Sequence, residues 1–199
     1  MNRFVYPEHQ HAFLAARSGL RHVLGRITDT APDELVFSYG PQGKPALAQG
    51  PSFNLSHSKK LACLAVHPTT VLGADIEGFR EIEEGVAERF FSAAEYAALQ
   101  ELSGGAKEAG FFRCWTRKEA VVKALGGGLS IPLDAFDVTL DASGAQLTRL
   151  ESAYGNASDW ALAPFQVGSQ MMGCVAAQTD GTPITLQVRS APNGLEFAA

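Results

Sequence analysis

Two acidic residues, Asp75 and Glu77, flank Ile76 in a stretch that predicts a β-strand from Val71 to Glu77. Side chains alternate along a strand, so both carboxylates would project from the same face, about 7 Å apart. The pair alone leaves two interpretations open. One is an ordinary solvated strand face. The other is a site for a hard metal ion, because Mg²⁺ in proteins is usually held by one or two carboxylates together with waters and substrate phosphates.

A predicted helix in the segment WTRKEAVVKALGGG offers a third carboxylate. Trp115, Glu119 and Lys123 recur at i, i+4 and i+8 and therefore lie along one stripe. Glutamate four residues before lysine is also the ordinary surface pair, worth about 0.2–0.5 kcal/mol. Trp115 on the same stripe favours partial burial instead, and buried charges need partners or a ligand. Glu119 is therefore a candidate metal ligand beside a cation.

Further polar groups that could contact a phosphate lie earlier in the chain. The segment FNLSHS, residues 53–58, is expected just before a strand, where Asn54 and Ser56 are typical of turn caps. His57 could donate a hydrogen bond to a phosphate oxygen. Lys44 stands in a proline-stiffened GKP turn, which suits a phosphate contact and equally suits an exposed loop.

The elements that must position these groups form an α+β chain: a helix, then strands, then helices, then strands. The first helix is predicted from Glu8 to about Arg26, with Arg17 and Arg21 one turn apart on a basic edge. Two strands joined by a turn are predicted within Leu61–Ile76.

Helices follow the strand that carries the acidic pair. Ser92 and Glu95 have the spacing of a capping box and open one helix. The next runs from about Glu108 to Leu125, where the glycines from Gly126 supply a left-handed stop. Five later segments predict short strands: IPLDAFDVTL, QLTRL, DWALAPF, MMGCVAAQ and ITLQV.

Composition narrows the class of protein. The 199 residues are 46% hydrophobic and 19% charged, which is typical of a compact globular chain. A formal net charge of −5 provides no long-range attraction to nucleic acid or to an anionic membrane. The three dispersed cysteines match neither a metal motif nor a disulfide framework. With no membrane-length apolar run and no leader-like start, we expect a cytoplasmic protein.

Five segments, taken together and in chain order, resemble the 4′-phosphopantetheinyl transferases: GKPAL, FNLSHS, LGADIE, RFFSAAEYAAL and WTRKEAVVKALGGGLSIPLDAF. More narrowly, they resemble the large, monomeric type that activates nonribosomal peptide, polyketide and some fatty acid synthases. The resemblance covers about Arg3 to Val138, and the family usually has some thirty further residues before the position of Arg3. It implies Mg²⁺-dependent transfer of phosphopantetheine from coenzyme A to a serine of an apo carrier protein.

The resemblance also implies a fold of two pseudo-symmetric α+β halves with the active site in the cleft between them. The halves would be residues 1–73 and 74–190, followed by a loose tail, 191–199. The expected partners are coenzyme A and an acyl or peptidyl carrier protein, and the expected state is a monomer.

The same resemblance assigns roles to individual residues. Asp75, Glu77 and Glu119 would be the magnesium ligands, and Glu119 and Lys123 would be the catalytic groups. Lys118 is a second candidate base. Contacts to coenzyme A are implied for seven residues of the matched segments and the first helix: Arg17, Arg21, Lys44, Ser56, His57, Lys118 and Lys123.

Two other classes of function compete with this one. A non-catalytic module of the same fold could bind coenzyme A or a carrier protein without transferring anything. A different magnesium-dependent phosphotransferase acting on nucleotides is disfavoured, because no GxxxxGK[ST] or GxGxxG loop follows a predicted strand.

Overall fold

The computed structural model describes residues 7–190. The chain opens with one long helix and two small antiparallel hairpins. Their bounds are α1 Pro7–Thr28, β1 Phe37–Tyr39, β2 Pro45–Leu47, β3 Ser52–Ser58 and β4 Leu61–His67. The α+β class is confirmed.

A strand, three helices and four further strands follow. Their bounds are β5 Leu72–Gly78, α2 Val86–Phe90, α3 Ala93–Gln100, α4 Gly104–Leu125, β6 Phe136–Val138, β7 Leu147–Leu150, β8 Trp160–Val167 and β9 Met171–Gln178. Short 3₁₀ turns connect the later elements at Gly128–Ser130, Leu133–Ala135, Ser152–Tyr154 and Ala157–Asp159. No helix within residues 7–190 is long and apolar enough to cross a bilayer.

The central sheet has three strands in the order β5, β9, β8, all antiparallel to their neighbours. In the register of β5 with β9, Asp75 lies opposite Cys174 and Glu77 opposite Met172. Ala74 and Ile76, on the other face of β5, are fully buried. The alternation expected from the sequence therefore holds, with both acidic side chains on one face.

The apolar residues form two clusters. The larger one surrounds α4 and the central sheet and includes Phe112, Val121, Phe136 and Cys174, all without exposure. The smaller one joins α1 to the first hairpins through Leu20, Leu24, Leu35 and Phe53. The predicted division into residues 1–73 and 74–190, and the pseudo-symmetry between those halves, stay predictions.

Helix boundaries follow local sequence signals. At the start of α3 both hydrogen bonds of the capping box are present: the Glu95 amide donates to Ser92 Oγ at 3.2 Å, and the Ser92 amide donates to Glu95 Oε2 at 2.9 Å. Helix α4 ends at Gly126, whose φ of 76° is left-handed as predicted. It begins at Gly104 rather than near Glu108, so the prediction was one turn short.

Two strand predictions were wrong. The segment FNLSHS lies inside β3, where it pairs with β4, instead of preceding a strand. The segment ITLQV, residues 184–188, forms no strand in the part of the chain that the structure describes. Its Val188 is 71% exposed, and no strand within residues 7–190 pairs with this segment.

Gly73 sets the distance between β5 and α4. A Cβ atom at this position would collide with the Ala120 carbonyl oxygen and the Ala124 amide nitrogen of α4. These are backbone atoms, which cannot move aside as the end of a flexible side chain could. The strand and the helix can therefore approach this closely only because residue 73 has no side chain.

We expect Gly73→Ala to destabilise the fold by about 1–3 kcal/mol, because overpacking forces α4 away from β5. The measurement is the free energy of unfolding from denaturant titration. Gly105→Ala is the matched control, since a Cβ at Gly105 meets no atom within 4 Å. Alanine in the first turn of α4 should stabilise by about 0.5–1 kcal/mol. Equal stability of the Gly73→Ala variant and the wild type would contradict the tight contact.

Candidate active site

One cavity gathers the charged residues that the sequence singled out. It measures about 340 Å³ and lies between β3, β5 and α4. Its lining includes Ser56, His57, Asp75, Glu77, Glu119 and Lys123. Trp115 lines it as well, so the helical stripe of Trp115, Glu119 and Lys123 faces the acidic pair on the strand.

Asp75 is buried and held by a cation. The side chain is 5% exposed, and its Oδ1 accepts from Lys123 Nζ at 2.6 Å and from Ser56 Oγ at 2.9 Å. Lys123 also donates to Ser56 Oγ at 3.0 Å. The other oxygen, Asp75 Oδ2, is buried with no hydrogen-bond partner. Buried polar atoms are nearly always satisfied, so this one indicates a site for a ligand rather than a solvated strand face.

Glu77 is partly buried, with 19% of its side chain exposed. Its Oε2 accepts from Ser58 Oγ at 2.8 Å and from Arg80 Nη1 at 2.6 Å. Arg80 is itself 52% exposed, so solvent weakens that ion pair. Ser58, which the sequence analysis missed, therefore provides the more sheltered of the two contacts.

The environment of this cavity disfavours the ionised forms of Asp75 and Glu119. Burial raises the pKa of Glu119 above its ordinary value, the charges of Asp75 and Glu77 raise it further, and Lys123 opposes them. Burial also raises the pKa of Asp75, again against the effect of Lys123. Clusters of carboxylates with raised pKa values are typical of functional sites, where a ligand supplies the missing positive charge.

The oxygen atoms at this site suit a hard divalent cation such as Mg²⁺. Three carboxylates line the same cavity, and one oxygen of Asp75 is buried and unpartnered. As the side chains lie, no three carboxylate, imidazole or thiol groups among residues 7–190 are grouped tightly enough to hold a metal ion. Lys123 lies against Asp75, and Arg80 pairs with Glu77. Movement of these two cations would therefore accompany binding.

A second cavity of about 550 Å³ adjoins the first and shares Leu55, Glu119 and Lys123 with it. Its lining combines cations, Lys44 and Arg89, with apolar groups that include Phe90. Such a lining suits a ligand with charged and apolar parts.

Lys44 lies where the second cavity meets the end of α4. Its Nζ donates to the carbonyl oxygens of Leu72 at 2.9 Å and Ala124 at 3.3 Å. Burial lowers the pKa of this lysine. A lysine at a helix C-terminus interacts favourably with the helix dipole, so Lys44 joins β5 and α4 as well as facing the cavity.

The predicted contact of Lys118 with coenzyme A, and its role as a second candidate base, conflict with its position. Lys118 is fully buried and lines neither cavity. Its Nζ lies 2.7 Å from Glu95 Oε1 and donates to the Phe136 carbonyl at 2.6 Å. In a helix adjacent residues point in different directions, so the neighbour of Glu119 faces the core.

Arg17 and Arg21 lie beside the first hairpin, outside the lining of both cavities. Arg21 donates to the carbonyl oxygens of Pro32 and Leu35 and lies over the Phe37 ring at 4.9 Å. Arg17 contacts Tyr39 through a long hydrogen bond of 3.5 Å. These contacts join α1 to the hairpin, and the proposed contact of both arginines with a nucleotide stays a prediction.

Comparison with known proteins gives the family. Residues 71–170 match the model of the 4′-phosphopantetheinyl transferase superfamily (ACPS). This region contains β5 and α4 and therefore all three carboxylates of the first cavity. The chain belongs to this superfamily.

Three proteins illustrate the similarity. The chain is 41% identical over 146 residues to the 4′-phosphopantetheinyl transferase HetI of Nostoc sp., covering 70% of this chain and 61% of that protein. It is 34% identical over 144 residues to Sfp of Bacillus subtilis, covering 71% and 64%. It is 35% identical over 151 residues to AcpT of Salmonella typhi, covering 72% and 77%. The chain thus spans less than two thirds of HetI and of Sfp.

We expect Lys118→Met to destabilise the fold by about 3–5 kcal/mol, because it leaves the Glu95 carboxylate buried without its cation. Thermal and denaturant unfolding measure the loss. Lys107→Met, on the same helix but at its surface, should change stability by less than about 0.5 kcal/mol. A Lys118→Met variant as stable as the Lys107→Met variant would contradict the structural role of the buried pair.

We expect Glu119→Gln to raise the melting temperature at pH 7 in metal-free buffer. The folded state raises the pKa of Glu119, so ionising this group opposes folding, and the neutral amide removes that cost. The free-energy cost of ionising Glu119 is present above the pKa that this group has in the folded state and absent below its ordinary pKa of 4.5. The difference in melting temperature between the variant and the wild type should therefore vanish at lower pH. In a chain of this size, a rise in melting temperature of about 2–4 °C would correspond to 1 kcal/mol in the free energy of unfolding. Glu108→Gln, exposed on the same helix, should show no gain.

Proposed function

We propose that this chain transfers the 4′-phosphopantetheine arm of coenzyme A to a serine hydroxyl of an apo acyl or peptidyl carrier protein, releasing 3′,5′-ADP with Mg²⁺ as cofactor. The convergence of Asp75, Glu77, Glu119 and Lys123 on one cavity carries the proposal. Membership of the superfamily and the activity named for HetI, Sfp and AcpT support it.

The charge balance of the cavity agrees with a metal-bound diphosphate. Three carboxylates and one lysine give an excess of negative charge, which by itself would repel an anionic substrate. Asp75, Glu77 and Glu119 would hold Mg²⁺, which when bound supplies the positive charge that a diphosphate needs. Lys123, beside the same carboxylates, adds a second cation for the phosphate oxygens.

The reaction is a phosphoryl-type transfer with a defined bond change. The serine oxygen of the carrier attacks the β-phosphorus of coenzyme A, which bears pantetheine, and the bond from this phosphorus to the oxygen of 3′,5′-ADP breaks. Glu119 takes the serine proton. Its position supports this role, because it is a carboxylate that lines the cavity beside Asp75 and Lys123. Lys123 offsets negative charge that develops on the leaving group.

The remaining parts of coenzyme A would occupy the adjoining cavity and its surroundings. Its volume of about 550 Å³ lies within the usual range for cofactor pockets. Lys44, Ser56 and His57 are the proposed contacts for the nucleotide phosphates, with Arg17 and Arg21 as outer cations. Lys44 would exchange its bonds to backbone carbonyls for bonds to phosphate.

The carrier protein would dock near the helices between Phe90 and Phe112. The chain has a net charge of −5, so long-range attraction to an acidic carrier is excluded as the main force. A local contact that combines apolar groups with a few basic side chains is the alternative that remains. We further propose that the chain acts as a monomer in the cytoplasm.

A carrier-labelling assay tests the function. The chain is incubated with coenzyme A, Mg²⁺ and each of several apo carriers, and intact mass spectrometry detects one added phosphopantetheine per carrier. Chelation of Mg²⁺ should abolish the mass shift. Coenzyme A binding in calorimetry without labelling of any carrier would instead identify a binding module.

We expect Glu119→Gln to lower the rate of labelling by about 10²–10⁴, the usual contribution of a positioned base. Asp75→Asn should raise the Mg²⁺ concentration that transfer requires, or abolish turnover. Glu108→Gln, at an exposed position of α4, is the matched control and should label at the wild-type rate. A Glu119→Gln variant with the wild-type rate would refute the assignment.

A further inference from the structure

Strands β3 and β5 lie side by side without ordinary backbone pairing. Along β5 the hydrogen bonds to β9 alternate, so every second amide points away from β9, toward β3. The amides of Ala74, Ile76 and Gly78 would be unpaired donors on that edge. Each instead donates to a side chain of β3.

The acceptors are Asn54 Oδ1, Ser56 Oγ and Ser58 Oγ, which we call the polar ladder. They accept from the amides at 2.8, 3.3 and 3.1 Å, respectively. Each acceptor lies twenty positions before its donor, so the two strands run parallel. In both strands the directions of side chains and amides repeat every two residues. All three hydrogen bonds between the strands can therefore form at the same spacing.

The two serines of the ladder also contact the acidic pair. Ser56 Oγ donates to Asp75 Oδ1 at 2.9 Å, and Ser58 Oγ donates to Glu77 Oε2 at 2.8 Å. A hydroxyl has one proton to donate and lone pairs that accept. Because an amide of β5 occupies a lone pair of each serine, the remaining proton is directed to the carboxylate one position earlier.

Each carboxylate consequently has one anchored oxygen and one that remains available. The available oxygen of Asp75 is Oδ2, which is buried and unpartnered. For Glu77 it is Oε1, since Ser58 and Arg80 both bind Oε2. An outer hydrogen bond that orients a ligating carboxylate is a recurrent feature of metal sites.

We infer that Ser58 is a positioning residue that fixes Glu77 so that Oε1 is presented to a divalent cation. The inference rests on the proposed function, because it assigns Glu77 to the cation. Ser58 is the informative member of the ladder, since Ser56 also contacts Lys123 and is itself a proposed contact of the substrate. Among the residues that the structure describes, the Ser58 hydroxyl bonds only to the carboxylate of Glu77 and to the Gly78 amide.

The test measures Mn²⁺ binding to the purified chain, without coenzyme A or carrier, by electron paramagnetic resonance. We expect Ser58→Ala to weaken Mn²⁺ binding about tenfold, the lower end for loss of an outer hydrogen bond at a metal site. Ser58→Thr keeps the hydroxyl and should bind within about twofold of the wild type. Ser52→Ala is the matched control, since Ser52 lies on the same strand and has no side-chain hydrogen bond to a described residue.

A double-mutant cycle separates positioning from general stability. In the Glu77→Ala background, which leaves Ser58 no side-chain acceptor at position 77, Ser58→Ala should have no further effect on Mn²⁺ affinity, although it still removes the bond to the Gly78 amide. The transfer assay should show an increased Mg²⁺ requirement for Ser58→Ala and a rate at saturating Mg²⁺ within about twofold of the wild type.

Wild-type Mn²⁺ affinity in Ser58→Ala, or an equal loss in Ser58→Thr, would overturn the inference. An equal effect of Ser58→Ala with and without the Glu77 carboxylate would also overturn it. Failure of the wild type to label any carrier would count against the proposed function alone, because Mn²⁺ binding does not depend on transfer.

Discussion

The close approach of α4 to β5 is the constraint on which the rest of the site depends. At Gly73 the backbone of the helix lies directly against the backbone of the strand, and any side chain there would separate them. Asp75 is two residues further along the strand, so it faces the same part of the helix. Only at this separation does Lys123 reach the carboxylate of Asp75 and Glu119 share its cavity.

The charged residues on the two faces of α4 differ in how completely they are paired. On the core side, Lys118 and Glu95 form a buried pair. Lys118 also donates to the Phe136 carbonyl, and Glu95 also accepts from the Val138 and Ser92 amides. This network joins α3, α4 and β6 and leaves Glu95 with no free oxygen. On the cavity side, the carboxylates exceed the cations and an oxygen of Asp75 is unpartnered. The first arrangement stabilises the fold, and the second retains the capacity to bind a cation.

The contact between the first hairpins and the central sheet likewise contributes both to the stability of the fold and to the geometry of the candidate active site. If β3 and β5 paired directly through their backbones, no space would remain between the two strands for the side chains of the polar ladder. The polar ladder meets the same backbone donors with side-chain acceptors and brings two hydroxyls to the acidic pair. Stability at this junction and the orientation of the carboxylates therefore depend on the same atoms.

Local periodicity was sufficient to predict several parts of the site. The two-residue repeat of a strand places Asp75 and Glu77 on one face, and the helical repeat places Glu119 and Lys123 on one stripe. The capping box at Ser92 and the left-handed Gly126 depend on residues within one turn, so the sequence determined them as well. In each case the deciding interaction connects residues that are near neighbours in the chain.

Only the tertiary structure decided which faces meet. Lys118 is next to Glu119 in sequence, yet long-range packing buries it against Glu95. Alternation of polar residues at 54, 56 and 58 was visible as a pattern, but its meaning required β5, twenty positions later, to lie beside β3. The sequence sets the direction of a side chain relative to its own helix or strand. The partner it reaches depends on how distant elements pack, which local spacing does not encode.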